Sequence, residues 1–256
     1  METIHVGPAP RLAVSVAGEG TLLLFLHGIR GNRRNWTRQL EFFSRHFKAA
    51  AWDARGYGDS EDYEGALRFD EHFSADLLRV ADHFKADRFH LVGLSMGGRI
   101  ARNFALRHPD RLRSLVLAGT SPGFEGLDVK RFVAERRTAT PESVRRLLGS
   151  RAVAEAYENL IDSVRRVHQA SFEKTLEASV AQDRAAPLEQ IRVPTLVITG
   201  DEDSVYPPAM ARDIARRIPG AELVVLNGVG HLANLEQPEE FNQAVLQFLK
   251  RQEKHP

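Results

Sequence analysis

The chain has 256 residues, 43% of them hydrophobic and 27% charged, a balance that fits one large soluble α/β unit and excludes a disordered or membrane-embedded chain. Lysine and arginine number 35 against 34 aspartates and glutamates, a formal charge of +1, so no global field recruits nucleic acid or anionic lipid. With no cysteine, a disulfide framework, a thiolate metal site and a thiol nucleophile are all excluded.

Residues 1–10 lack a basic segment followed by an apolar run, and the densest apolar stretch, 22–26, is far too short to span a bilayer. The expected location is therefore cytoplasmic by default, with no membrane partner. Residues 11–16 read as an antiparallel edge strand, and strands are predicted at 21–26, 47–52, 89–94, 112–118, 195–199 and 222–226. Between them, 35–46, 73–85, 96–108, 208–218 and 238–250 carry apolar residues at helical spacing. Pro208 and Pro238 suit first helical turns, which need no amide donor. This alternation predicts a doubly wound, mostly parallel α/β fold. From 121 to 187 it breaks off, because no strand-like run occurs there, and Thr140-Pro141-Glu142 starts a helix that Gly149 stops. The expected organisation is a core of 1–120 and 188–256 with a helical cap insertion at 121–187. The tail, 251–256, is expected to fray.

The strongest local signal is Gly93-Leu94-Ser95-Met96-Gly97-Gly98, which lies between an apolar run and a helical pattern. A serine held at a sharp strand-to-helix turn projects its hydroxyl from the sheet edge, and flanking glycines relieve collisions with neighbouring backbone. The amino end of the following helix favours negative charge, so an oxyanion on a substrate carbonyl would meet the Met96 amide. Such local geometry suits acyl transfer. A Gly-x-Ser-x-Gly match is weak alone, and the flanking strand and helix give it weight.

At this point the sequence resembles the α/β-hydrolase family, and three further segments match in order. His27-Gly28 closes the run 21–26, with Ile29 next, the position whose amide the resemblance implies as the second oxyanion donor. Asp53-Ala54-Arg55-Gly56-Tyr57-Gly58-Asp59-Ser60 resembles a family turn after the following strand. Gly200-Asp201-Glu202-Asp203 with Pro207, and Gly230-His231, resemble the acid and histidine segments. The resemblance covers nearly the whole chain outside the insertion and implies the triad Ser95, Asp203 and His231. Chemically, a serine needs a base to take its proton, and the base needs an acid to fix its tautomer and stabilise its cation. Either Asp201 or Asp203 would serve by chemistry; the family spacing to Pro207 favours Asp203, leaving Asp201 as a turn residue. His27 is expected to brace the oxyanion loop, and Asp53 with Arg55 to lock a turn as a pair.

No metal or nucleotide motif occurs, and no cofactor is expected. The serine argues against relatives that use aspartate at this position. Residues 93–98, 203–208 and 231–238 are most similar to 3-oxoadipate enol-lactonases and related small-ester hydrolases. Carbon-carbon hydrolases of aromatic meta-cleavage products are also similar but typically carry asparagine before the serine and tryptophan after the histidine, where this chain has Leu94 and Leu232. The expected partner is a small ester or lactone, cleaved through an acyl-enzyme. A triad-bearing small-molecule receptor and a cofactor-free haloperoxidase are the other readings. Candidate substrate contacts are Trp36, Arg30 and Arg137, the arginines as bidentate carboxylate ligands.

Overall fold

A computed structural model describes residues 1–125, 128–138, 140–182 and 185–253. Its strands are β1 (Glu2–Val6), β2 (Leu12–Ala17), β3 (Leu22–Leu26), β4 (Lys48–Trp52), β5 (Phe89–Leu94), β6 (Leu112–Ala118), β7 (Thr195–Gly200) and β8 (Glu222–Leu226). They form a sheet in the order β1-β2-β4-β3-β5-β6-β7-β8. The β1–β2 and β2–β4 pairs are antiparallel, and every other neighbouring pair is parallel. The helices are α1 (Thr37–Phe43), α2 (Phe69–His83), α3 (Met96–Arg107), α4 (Val129–Arg137), α5 (Pro141–Val144), α6 (Ala154–Arg165), α7 (Gln169–Gln182), α8 (Pro208–Arg217), α9 (Ala233–Glu236) and α10 (Pro238–Glu253). No helix among the described residues is long and apolar enough to cross a membrane.

The predicted strands and helices all appear, with four corrections, the first being that the helix expected from Thr140 to Gly149 is α-helical only to Val144 and continues as a 3-10 turn at Arg145–Leu147. The segment 11–16 is not the edge, because β1 pairs outside it in full register from Glu2↔Val16 to Val6↔Leu12. The helix expected at 35–46 begins as a 3-10 turn at Arg33, capped by the Asn32 side chain, before α1 takes over. Residues 251–253, expected to fray, continue α10, while 254–256 lie outside the described residues.

The central strands are buried on both faces, and their pleat divides the core into two layers. From β3, Leu22, Leu24 and Leu26 join Phe73, Leu77, Ile100 and Phe104 on one side, while Leu23 and Phe25 join Trp36, Phe43, Phe241 and Phe248 on the other. At roughly 1.5–3 kcal/mol per fully buried large apolar side chain, these layers supply the drive that holds the sheet rigid. The parallel strands then end together, so the loops after β3, β5, β7 and β8 gather at one edge, the usual position for a ligand site in such a sheet. Between β6 and β7 the described residues make α4 to α7 and no strand. The expected 121–187 unit includes 126, 127, 139, 183 and 184, which lie outside the described residues.

Candidate active site

Ser95 stands between β5 and α3 with φ 55° and ψ −113°, a conformation that costs a non-glycine residue energy and persists only where its surroundings enforce it. They do so through close backbone approach. A Cβ on Gly93 would lie 2.2 Å from the Gly97 carbonyl oxygen, and one on Gly97 would lie 2.3 Å from the Leu26 carbonyl oxygen. The Ser95 amide donates to the Ala118 carbonyl at 2.9 Å, and the Thr120 hydroxyl donates to the Ser95 carbonyl at 2.8 Å.

The loops after β7 and β8 bring the other two side chains to this serine. His231 Nε2 lies 3.0 Å from Ser95 Oγ, and His231 Nδ1 lies 3.0 and 3.2 Å from the two Asp203 carboxylate oxygens. A carboxylate can only accept, so Nδ1 carries the proton and Nε2 keeps a lone pair for the serine hydroxyl. All three residues are buried, Ser95 at 6%, Asp203 at 3% and His231 at 5% exposure, which keeps their hydrogen bonds out of competition with bulk water. Asp203 Oδ1 also accepts the Val205 and Tyr206 amides at 2.8 and 2.9 Å. Asp201 accepts the Gly228 amide at 2.6 Å from an exposed turn and does not reach His231.

Met96 is the first residue of α3, so its amide has no intrahelical acceptor. Across from it, the Ile29 amide has no hydrogen-bond partner among the described residues. Buried His27 steadies that loop: its Nε2 accepts the Ala54 amide at 3.1 Å and its Nδ1 lies 2.8 Å from the Gly28 carbonyl. The Ala54 bond requires Nδ1 to be the protonated nitrogen. Burial holds His27 below its ordinary pKa, against the Gly28 contact and the Asp53 charge. Asp53 and Arg55 lock their turn with separate partners and not with each other. Asp53 accepts the Arg33 amide at 2.6 Å and pairs with the Arg33 guanidinium, whereas Arg55 makes two 2.7 Å bonds to Asp76.

Above Ser95 is a cavity of about 740 Å³ lined by Gly28, Ile29, Arg30 and His231, with Phe132, Val144 and Leu160 from α4 to α6. That size suits a small organic ligand. Of the three expected substrate contacts, only Arg30 lines it. Trp36 is fully buried, with Phe25 and Phe241 rings at 5.0 and 6.1 Å, because its indole completes the core layer beneath α1. Arg137 turns outward to Glu173 and Glu177, at 2.7 and 3.0 Å.

Two residues escaped the sequence reading. Arg136, the neighbour of Arg137, lines the cavity; its i, i+4 spacing from Phe132 marks the shared face. Glu236 has no exposed surface and accepts the Gly149, Gly230 and Leu232 amides at 2.6, 2.9 and 2.9 Å, bracketing His231 from both sides. Burial pushes its carboxyl up from the ordinary range, against those three amides. An acid among the apolar neighbours of the 232–236 run was the available signal. The His231 amide itself donates to the Leu147 carbonyl at 2.7 Å, so the segment between β6 and β7 holds the histidine loop from above. No cluster of three metal-ligating His, Cys, Asp or Glu side chains occurs among the described residues.

A mostly parallel sheet with a serine, an imidazole and a carboxylate chained at its carboxyl edge defines an α/β hydrolase. The chain belongs to the alpha/beta hydrolase family, whose model matches residues 23–244. A 2-hydroxy-6-oxononadienedioate/2-hydroxy-6-oxononatrienedioate hydrolase of Burkholderia vietnamiensis is 30% identical, with 98% of this chain and 95% of the relative aligned. The 3-oxoadipate enol-lactonase 2 of Acinetobacter baylyi is 26% identical over 90% of this chain and 88% of its own. Among solved structures, a malate-bound thermophilic esterase from Thermogutta terrifontis matches with a TM-score of 0.84 at 30% identity, over 98% of this chain and 99% of that one.

Proposed function

We propose that this protein hydrolyses a small carboxylic ester or lactone through an acyl-enzyme on Ser95. The observation that carries this reading is the continuous chain Ser95 Oγ, His231 Nε2, His231 Nδ1, Asp203, with links of 3.0 Å at each end. As Oγ bonds to the substrate carbonyl carbon, its proton passes to Nε2 and the carbonyl oxygen becomes an oxyanion held by the Ile29 and Met96 amides. Each such donor is worth about 3 kcal/mol of transition-state stabilisation. Collapse breaks the carbon-oxygen bond to the leaving group, which takes the proton from Nε2. Water then repeats the sequence on the acyl-enzyme, with Nε2 again as base, releasing the acid and restoring the serine. Residues 121–187 serve as the cap over this chemistry, since α4 to α6 wall the cavity.

Similarity to proteins named as an enol-lactonase and an esterase supports oxygen-bond cleavage. Carbon-carbon hydrolysis of a dienoic ring-fission product is the second reading, favoured by the 30% identical relative. One screen of purified protein against lactones, short-chain esters and dienoic ring-fission acids separates the two. Turnover of activated esters that survives Ser95→Ala in a folded protein would overturn the serine mechanism itself.

A further inference from the structure

Two half-buried cations in the cavity wall, Arg30 and Arg136, have no carboxylate partner among the described residues. Arg30 follows Ile29 directly and holds φ 64°, a left-handed conformation disfavoured for arginine. Its guanidinium lies 4.0 Å from the Phe172 ring centroid, Nη2 donates to the Arg136 carbonyl at 2.5 Å, and Nε is buried without a hydrogen-bond partner. The Arg136 guanidinium stacks 3.2 Å over the Phe132 ring and gives one 3.2 Å bond to the Phe132 carbonyl. Among the described residues neither makes an ion pair with a carboxylate. Their neighbours on α4 do, Arg131 with Glu135 at 2.8 Å and Arg137 with Glu173 at 2.7 Å. The acids in the same wall are engaged as well, Asp128 accepting the Arg131 amide at 3.0 Å and Glu135 paired with Arg131.

Burial pushes Arg136 down to about 10, with the nearby Arg99 and Arg30 charges adding to the effect, so at neutral pH it remains a cation. Desolvated and unpaired, such a charge is costly until an anion meets it. Backbone carbonyls and aromatic rings hold both guanidiniums in the cavity wall while other N–H donors stay uncommitted, the chemistry that receives a flat, two-oxygen anion. A carboxylate fits better than a phosphate dianion, whose second charge would face Asp128 and Glu135 in the same wall.

We propose that Arg30 and Arg136 form a carboxylate subsite, and that the substrate is a small ester or lactone bearing a free carboxylate away from the scissile bond. This deepens the hydrolase reading and rests on it. The test compares 4-nitrophenyl hydrogen glutarate and 4-carboxyphenyl butyrate, which carry the acid on the acyl or the leaving side, each with its neutral methyl ester. At least one acid should exceed its methyl ester in kcat/KM by about tenfold or more. In Arg30→Gln and Arg136→Gln that preference should narrow by about tenfold, mainly through KM. No acid preference on either side would overturn the proposal, and this comparison needs no variant to fold. As a readout without turnover, glutarate, but not glutaramide, should raise the melting temperature of Ser95→Ala, and either arginine substitution should abolish the rise. Arginine-dependent protection by glutarate without cleavage of any ester would sustain the subsite and refute the hydrolase reading. Ser95-dependent cleavage with neither acid preference nor protection would do the reverse.

Discussion

Arg33, buried, and Arg136, half-buried, place the same group in two settings with opposite outcomes. At the turn below the site, the Arg33 side chain is 6% exposed and meets Asp53, Asp59 at 2.6 Å and the Ser15 hydroxyl at 3.0 Å. Burial alone would lower it, yet Asp53 and Asp59 hold the guanidinium above its ordinary pKa. In the cavity wall, Arg136 has only an aromatic face and one carbonyl, and its pKa is pushed down to about 10. Burial does not decide what a charge does; its partner does. The matched arginine ties the loops after β3 and β4 together, and the unmatched one lines the cavity above Ser95.

The sharpest division between chemistry and fold comes from two substitutions. Ser95→Ala removes a hydroxyl whose side-chain bond is to His231 alone, so ester turnover should fall by about 10⁴-fold or more while the melting temperature is retained. Asp53→Ala should do the opposite. It strips the Arg33 charge of its buried partner and leaves the Asp59 amide, now bonded at 2.8 Å, without an acceptor. Urea unfolding should show a loss of about 3–5 kcal/mol. A stable Asp53→Ala protein would dissolve the contrast, because the matched pair would then not be structural.

Sequence made most of this framework legible, and its failures have physical causes. The 93–98 turn declares itself because glycine is required where backbones nearly touch, and the apolar runs declare the strands because both faces of the sheet are covered. β1 was missed because Glu2-Thr3-Ile4-His5-Val6 is mostly exposed and lacks a dense apolar run. Asp53 and Arg55 look like a pair in sequence, but strand order decides partners: Arg33 arrives on the loop after β3, the neighbour of β4, and Asp76 on α2. Arg136 and Arg137 read alike in sequence, but one residue is about 100° of helix, and only the packing of Phe132 fixes which of them lines the cavity. Trp36 reads as a pocket aromatic at a helix start until the facing Phe25 and Phe241 rings claim it for the core.

His27 extends the contrast to a group whose charge the fold refuses. Burial places its folded pKa below the 6.5 of a free imidazole. Below about pH 6.5 the unfolded chain therefore binds a proton that the folded one does not, so stability falls with acid and levels off above that pH. One such group contributes at most about 1.4 kcal/mol per pH unit. His90, buried and also lowered mainly by burial, adds a slope of the same sign. Urea midpoints measured from about pH 5 to 8 should therefore depend less steeply on pH in His27→Gln than in the parent. Identical slopes would mean that His27 is charged in the folded protein, and its bond from the Ala54 amide could not then exist.

The smallest effect carries the most information about the cavity. Arg136→Met keeps an unbranched side chain against Phe132 and leaves the Arg136 carbonyl to receive Arg30, removing the charge and its one bond to the Phe132 carbonyl. If that charge is paired with nothing in the free protein, deleting it should cost no stability and should add up to about 1 kcal/mol, opposite in sign to the loss at Asp53. The gain should show as a small rise in urea midpoint, accompanied by loss of the protection that glutarate gives the parent. A loss of about 2 kcal/mol or more would reveal that Arg136 is held by the fold like Arg33, and the distinction between the matched and unmatched arginines would fail.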